Sequence, residues 1–354
     1  MRQSSAPAMI SASSISRFRR EIMGVAIIGI LLFHGHAVLY GGVGGYFFAG
    51  VKLFMQIGVD IFFFLSGFGC YHSLRNSNIR TQPLHAICAF YVRRLKRLLP
   101  KYLLVVSLYC VFIKCFFKEL TWLQVYTRFS LITFFTQGEL SEWFIASILT
   151  LYLITPPLYL LLNANNRAFF CMIVFTAMAS LCISLGRVPY SLMIVNEIFF
   201  TRIPVYLAGL LLGKQYAGGL CSVRRKTAIL ICVVFLAAYG FNRIVNQVNE
   251  VAFERLLFCP LAIAITFLLA SGFESLRTSG QIVFFFLGGI TLELYLVHEK
   301  LLNIIQQMLY PESPDFLQLL IVDFFAVLAS IAIAAVIHRL FLLSRKEQGR
   351  VPTG

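Results

Sequence analysis

The chain reads as an all-α polytopic membrane protein, a bundle of about ten transmembrane helices with both termini cytoplasmic. Three observations predict this. Of 354 residues, 59% are hydrophobic and only 13% charged, against about 25% charged in ordinary soluble domains. Apolar tracts of roughly 20 residues, long enough to cross a bilayer, recur along the whole length. Lys and Arg also fall unevenly between the connecting segments.

Strong spans are expected over Ile22–Leu39, Phe54–Ser73, Trp143–Leu162, Ala168–Leu185, Thr227–Phe241, Leu256–Gly272, Ile282–Leu302 and Leu317–Leu342. Two more are interrupted by charge or proline: Leu98–Phe117 carries Lys101 and Lys114, and Ile198–Gly213 carries Arg202 and Pro204. Ten spans put both ends of the chain on one side. With that side taken as inside, the inner segments hold 21 of the 30 Lys and Arg and the outer ones 9, the bias that cytoplasmic loops carry. The formal charge of +15 is thereby a topology signal, and nucleic acid is not the partner it implies. Nine cysteines are scattered with no CxxC or Cys/His cluster, so neither a disulfide framework nor a metal site is suggested. The Ser-rich start and Arg17, Arg19 and Arg20 precede an apolar run too long for a cleaved leader, which reads as a retained first span. No soluble domain is expected after the last span.

Chemistry is sought among ionisable groups at lipid depth, because their cost turns them toward a bundle interior or cavity. His34 and His36 lie in the outer half of the first span, Asp60 in the second, Glu293 and His298 in the ninth, and Asp323 in the tenth. Asp60 and Asp323 also fit plain helix-packing partners, and a lone His in an apolar helix also fits an interhelical hydrogen bond. Phe90–Tyr102 gathers Arg93, Arg94, Lys96 and Arg97 immediately before a span. Arg94 and Arg97 share a helical face, as do Arg93 and Arg97, and paired guanidiniums make a multi-donor clamp for phosphate. From charge alone a positive-inside anchor on lipid headgroups is the favoured reading, and spacing and position are what tilt the balance toward the clamp.

These blocks, in order, resemble the integral-membrane acyltransferase family three, which includes bacterial O-acetyltransferases of surface carbohydrates. Gly24–His34 looks like its first span ending in histidine, and Gly58–Phe68, with Asp60, Ser66 and Gly67, like its GVD…SGF block. Phe90–Tyr102 resembles its RRxxR…P segment, and Glu142–Pro156 its tryptophan-led span. Arg202–Gly209 and Leu294–His298 resemble later landmarks. One departure stands out. Where the family commonly has an arginine, separated from the histidine by ten intervening residues, this chain has Met23, with Arg19 and Arg20 one turn earlier. Either a neighbouring arginine substitutes, or the donor or acceptor arrangement is modified.

The resemblance implies a membrane O-acyltransferase moving an acyl group, acetyl in the simplest case, from cytoplasmic acyl-CoA to a hydroxyl of a surface carbohydrate or its lipid-linked precursor in a bacterial inner membrane. On that basis residues 1–20 are a cytoplasmic segment, 21–343 the transmembrane acyltransferase domain and 344–354 a cytoplasmic tail. His34 becomes the candidate general base, since neutral imidazole can take a hydroxyl proton, or a group that briefly carries the acyl. Arg94 and Arg97, supported by Arg93, would hold the phosphates of acyl-CoA, a donor substrate with no resident cofactor beside it. Ser66 would sit at a close helix approach, Trp143 at the acceptor entrance, and Asp60, Glu293 and His298 in support. From Ile22 to His34 is about 18 Å at 1.5 Å per residue, so a cavity is expected to open past the arginines and narrow at His34, with an outer opening near Trp143. Rival readings are a polytopic glycan or small-molecule exporter, which lacks here the broken-helix signature repeated in two halves, and acyl transfer on the cytoplasmic face.

Overall fold

The computed structural model describes residues 9–35, 55–77, 79, 81–117, 121–219, 222–245, 251–309 and 316–348. His36, residues 1–8 and residues 349–354 lie outside them. Almost everything described is helix. A short β1 (Met9–Ser11) leads into α1 (Ala12–Arg17) and the first expected span, α2 (Arg19–His34). The next are α3 (Ile57–Arg75), α4 (Pro83–Phe116), two short helices α5 (Trp122–Phe129) and α6 (Ile132–Gln137), then α7 (Trp143–Ala164) and α8 (Asn166–Leu185). The remainder comprises α9 (Tyr190–Ile198), α10 (Ile203–Ala217), β2 (Ser222–Arg224), α11 (Arg225–Val245), α12 (Val251–Ser275), α13 (Thr278–Gly289), α14 (Thr291–Leu309) and α15 (Phe316–Gln348). β1 pairs antiparallel with β2, Met9 opposite Arg224 and Ser11 opposite Ser222. The N-terminal segment and the α10–α11 connection therefore share one end of the bundle.

Among the described residues eight helices are long and apolar enough to cross a membrane, or nine if the bent pair α13–α14 is one span. α2, the first expected span, is not among them: its 16 residues cover about 24 Å. Three local departures from the sequence reading have plain causes. The basic segment does not precede its span but belongs to it: α4 runs unbroken for 34 residues, about 51 Å, so the arginines ride on a helical extension. The span around Pro204 starts at Tyr190 and is interrupted by a 3₁₀ turn, Phe200–Arg202, because proline has no N–H and its ring crowds the preceding carbonyls. There the Arg202 N–H bonds the Phe199 carbonyl at 2.9 Å, and the Arg202 guanidinium takes up the Ile198 carbonyl so released. The ninth span bends by 70° between Gly289 and Thr291.

α3 is the hub. It is apolar on all sides, as buried helices are, and packs against α2, α10 and α12. Its contact with α10 is backbone to backbone, since a Cβ on Gly209 would lie 2.1 Å from the Phe64 carbonyl oxygen and one on Gly67 2.2 Å from that of Tyr206. The close helix approach expected beside Ser66 is thus present. Gly209→Ala should destabilise the bundle by about 1–3 kcal/mol, and Gly209→Val by more, as overpacking does. Gly272→Ala, with open space around its Cβ, should be near neutral. Melting of the detergent-extracted variants checks both.

Candidate active site

A cavity of about 620 Å³ lies among α2, α3, α4, α7, the α13–α14 bend and α15. Helical spacing explains which residues reach it. α4 contributes Arg94, Arg97, Leu98 and Lys101, α7 contributes Phe144, Ile148 and Tyr152, α2 contributes Arg19, Arg20 and Met23, and α3 contributes Phe62 and Ser66. Each set repeats at three or four residues, one face of a helix. The bend exposes Gly288, Gly289, Thr291, Glu293 and Tyr295, and α15 adds His338 and Leu342.

One end of this cavity is strongly cationic. Arg94 and Arg97 face it, and Arg94 lies over the rings of both Phe90 and Tyr152, each 5.3 Å from its guanidinium carbon. Arg93 does not join them. It is exposed on a neighbouring face of α4 and is absent from the lining. Arg19 and Arg20 complete the end, together with Met23. Arg19 donates to the Leu65 carbonyl at 3.1 Å, and its guanidinium lies where a Cβ on Gly69 would stand. Arg20 rests on the ring of Phe285 at 4.9 Å. Thus the position left to Met23 is flanked, within one turn, by two arginines on the same wall.

Deeper in, Glu293 is fully buried and accepts from the Lys101 ammonium and from Nδ1–H of His338 at 2.7 Å. A carboxylate oxygen accepts in both contacts, so it is Nδ1 of His338 that carries the proton of this hydrogen bond. Lys101 and His338 escaped the sequence reading. In the sequence Lys101 is only a charge near a span end, and His338 is an ionisable group in an apolar tract whose partner, 45 residues away, only the fold reveals.

The far end is aromatic. Phe144 and Tyr295 meet at 4.5 Å between ring centroids. Tyr295 also meets His298 at 5.6 Å, and His298 meets His34 edge-on at 4.9 Å. The lining therefore stops short of His34, which stands behind Tyr295 and His298. His298 shares its Nδ1–H between the carbonyls of Leu294 and Tyr295, at 3.0 and 2.8 Å, so its buried Nε2 carries the lone pair and has no hydrogen-bond partner among the described residues. Asp323 lies beside the same turn, its Oδ2 3.3 Å from where a Cβ on Gly35 would be.

Asp60 is elsewhere. It is fully buried, with Oδ1 3.6 Å from Nε of Arg202, and the Arg202 guanidinium lies over the Trp143 ring at 5.1 Å. Trp143 lines a second recess with Ser141, Glu142, Glu299 and Lys300. In it Lys300 pairs with Glu142 at 2.8 Å. Burial raises the Glu142 carboxyl above its ordinary pKa, against the opposing pull of the Lys300 ammonium.

This arrangement can hold a polyanion at one end and extend a chain toward a histidine pair at the other. No curated protein and no solved structure matches the chain. A family model described as an acyltransferase domain does, over residues 24–339, nearly the whole helical bundle, and the protein accordingly belongs to acyltransferase family three, a family of membrane-embedded acyltransferases.

Proposed function

We propose that the protein transfers an acyl group, acetyl in the simplest case, from cytoplasmic acyl-CoA to a hydroxyl of a surface carbohydrate or its lipid-linked precursor, in a bacterial inner membrane with the arginine end facing the cytoplasm. The observation that carries this is the polarity of the cavity: Arg19, Arg20, Arg94 and Arg97 at one end, an aromatic floor leading to His34 at the other. Phosphates favour bidentate guanidinium partners, and a thioester arm suits the narrower, less polar interior.

In this reading His34 removes the acceptor proton as the hydroxyl oxygen attacks the thioester carbonyl. The tetrahedral centre collapses, the C–S bond breaks, and the proton passes from His34 to the departing thiolate. His298, edge-on to His34, restrains its ring, and Lys101, held in place by Glu293, offers its ammonium as a donor along the arm.

Arg94→Lys separates a phosphate clamp from a topology anchor. The charge is kept, but the fork and the planar contact with the Phe90 and Tyr152 rings are lost. Acyl-CoA affinity, measured by calorimetry on purified protein, should fall about tenfold, corresponding to roughly 1.4 kcal/mol. Unchanged affinity would leave Arg94 as an anchor on lipid headgroups. The acceptor is identified by mass-spectrometric comparison of surface glycans with and without the gene, and loss of an acyl ester is the expected result.

A further inference from the structure

Two separate spaces in the bundle share one wall. The large cavity and the recess lined by Ser141, Glu142, Trp143, Glu299 and Lys300 have only Phe144 and Tyr295 in common among the described residues. The two rings lie 4.5 Å apart, tilted by 42°, close-packed contact with no room for water between them. Phe144 is braced by Phe63 at 5.6 Å and by Trp143 at 6.0 Å, both edge-on. On the other side the recess is polar, with the Glu142–Lys300 pair in it, and its volume of about 10 Å³ is that of a single water.

We infer that the Phe144–Tyr295 pair is a water seal that decides between acyl transfer and hydrolysis. The inference rests on the acyl-CoA reading above for its chemistry, though not for its geometry. While the rings are closed, solvent at the Glu142 end cannot reach a thioester held in the cavity. An acceptor hydroxyl meets the acyl group only when the rings part. With the seal removed, water takes the acceptor's place: its oxygen bonds the acyl carbon, the C–S bond breaks, and its proton goes to the thiolate, giving free acid and CoA.

The test uses an Ile148→Cys variant of the full chain, because Ile148 lines the cavity one turn from Phe144 on α7. Vesicles of both orientations are treated with a membrane-impermeant maleimide, and the peptide carrying position 148 is read by mass spectrometry. Labelling is expected only from the arginine end. Adding Phe144→Ala should open labelling from the Glu142 end, and Tyr295→Phe, which keeps the ring, should not. Phe144→Ala should also raise acceptor-independent acyl-CoA hydrolysis at least tenfold. Labelling from the Glu142 end in the Ile148→Cys variant alone overturns the seal, and this arm needs no cavity-forming change. Labelling from the arginine end only, even with Phe144→Ala, also overturns it. Opened labelling without added hydrolysis overturns the seal's part in protecting the acyl group, whereas absence of acyl-CoA binding and turnover in the parent protein refutes the acyl-CoA reading instead.

Discussion

His34→Ala is expected to abolish acyl transfer, by a factor of about 10²–10⁴ for loss of a general base, while the melting temperature in detergent stays within a few degrees of the parent's. Two features of the site make this sharp. His34 is only half-buried at the C-terminus of α2, so truncating it opens little core. Its ring contacts, Phe33 and His298 at 4.9 Å each, leave two rings to close over the gap. Acyl-CoA binding should persist, because the cationic end lies about 17 Å away along the helix, eleven residues from Met23 to His34. Turnover by the Ala variant would remove His34 from the chemistry. His298→Ala should reduce the rate less, since its Nδ1–H is committed to backbone carbonyls and its part is to restrain His34.

Asp60→Ala is expected to unfold the protein more readily, by about 3–5 kcal/mol, the usual cost of removing one partner of a buried ion pair. Arg202 is 1% exposed and Asp60 is wholly enclosed, and neither Asp60 oxygen accepts a hydrogen bond among the described residues. The pair is therefore held by charge alone, with the Arg255 guanidinium adding its field to the same carboxylate. Without Asp60, the buried Arg202 guanidinium loses its counter-ion. Arg202→Leu in the same chain should restore part of the loss, because contacting residues are non-additive. Thermal melts of the single and double variants check this. A normal melt with lost activity in Asp60→Ala would instead make Asp60 part of the acyl-transfer chemistry.

Asp60 shows how far the sequence reached. An acid in an apolar tract of the second span can be recognised as costly, and its two readings, site and packing partner, can both be written down. Which one applies depends on what stands opposite, and Arg202 is 142 positions later in the chain. The structure sets Asp60 against Arg202 and away from the main cavity. Arg94 and Arg97 were legible because i, i+3 spacing is a local property of a helix. Arg93 looked equivalent by the same rule, and its separation came from where the neighbouring helices lie around α4. Glu293 was visible as an ion in lipid, but Lys101 and His338 as its partners were not.

The sequence by itself determined the all-helical membrane fold, the position of nearly every span and the family, because hydropathy, charge bias and ordered motif blocks are written along the chain and lipid permits few alternatives for an unsatisfied backbone. It also named a cationic face and a histidine. Only the tertiary structure decided which charges meet, that Arg19 and Arg20 stand with Met23 in the wall of the arginine cavity, and that this cavity ends at Phe144 and Tyr295 before it reaches His34. Those outcomes depend on helix rotation and on the bend between Gly289 and Thr291, which are set by packing among segments far apart in sequence and leave no periodic signature in any one of them.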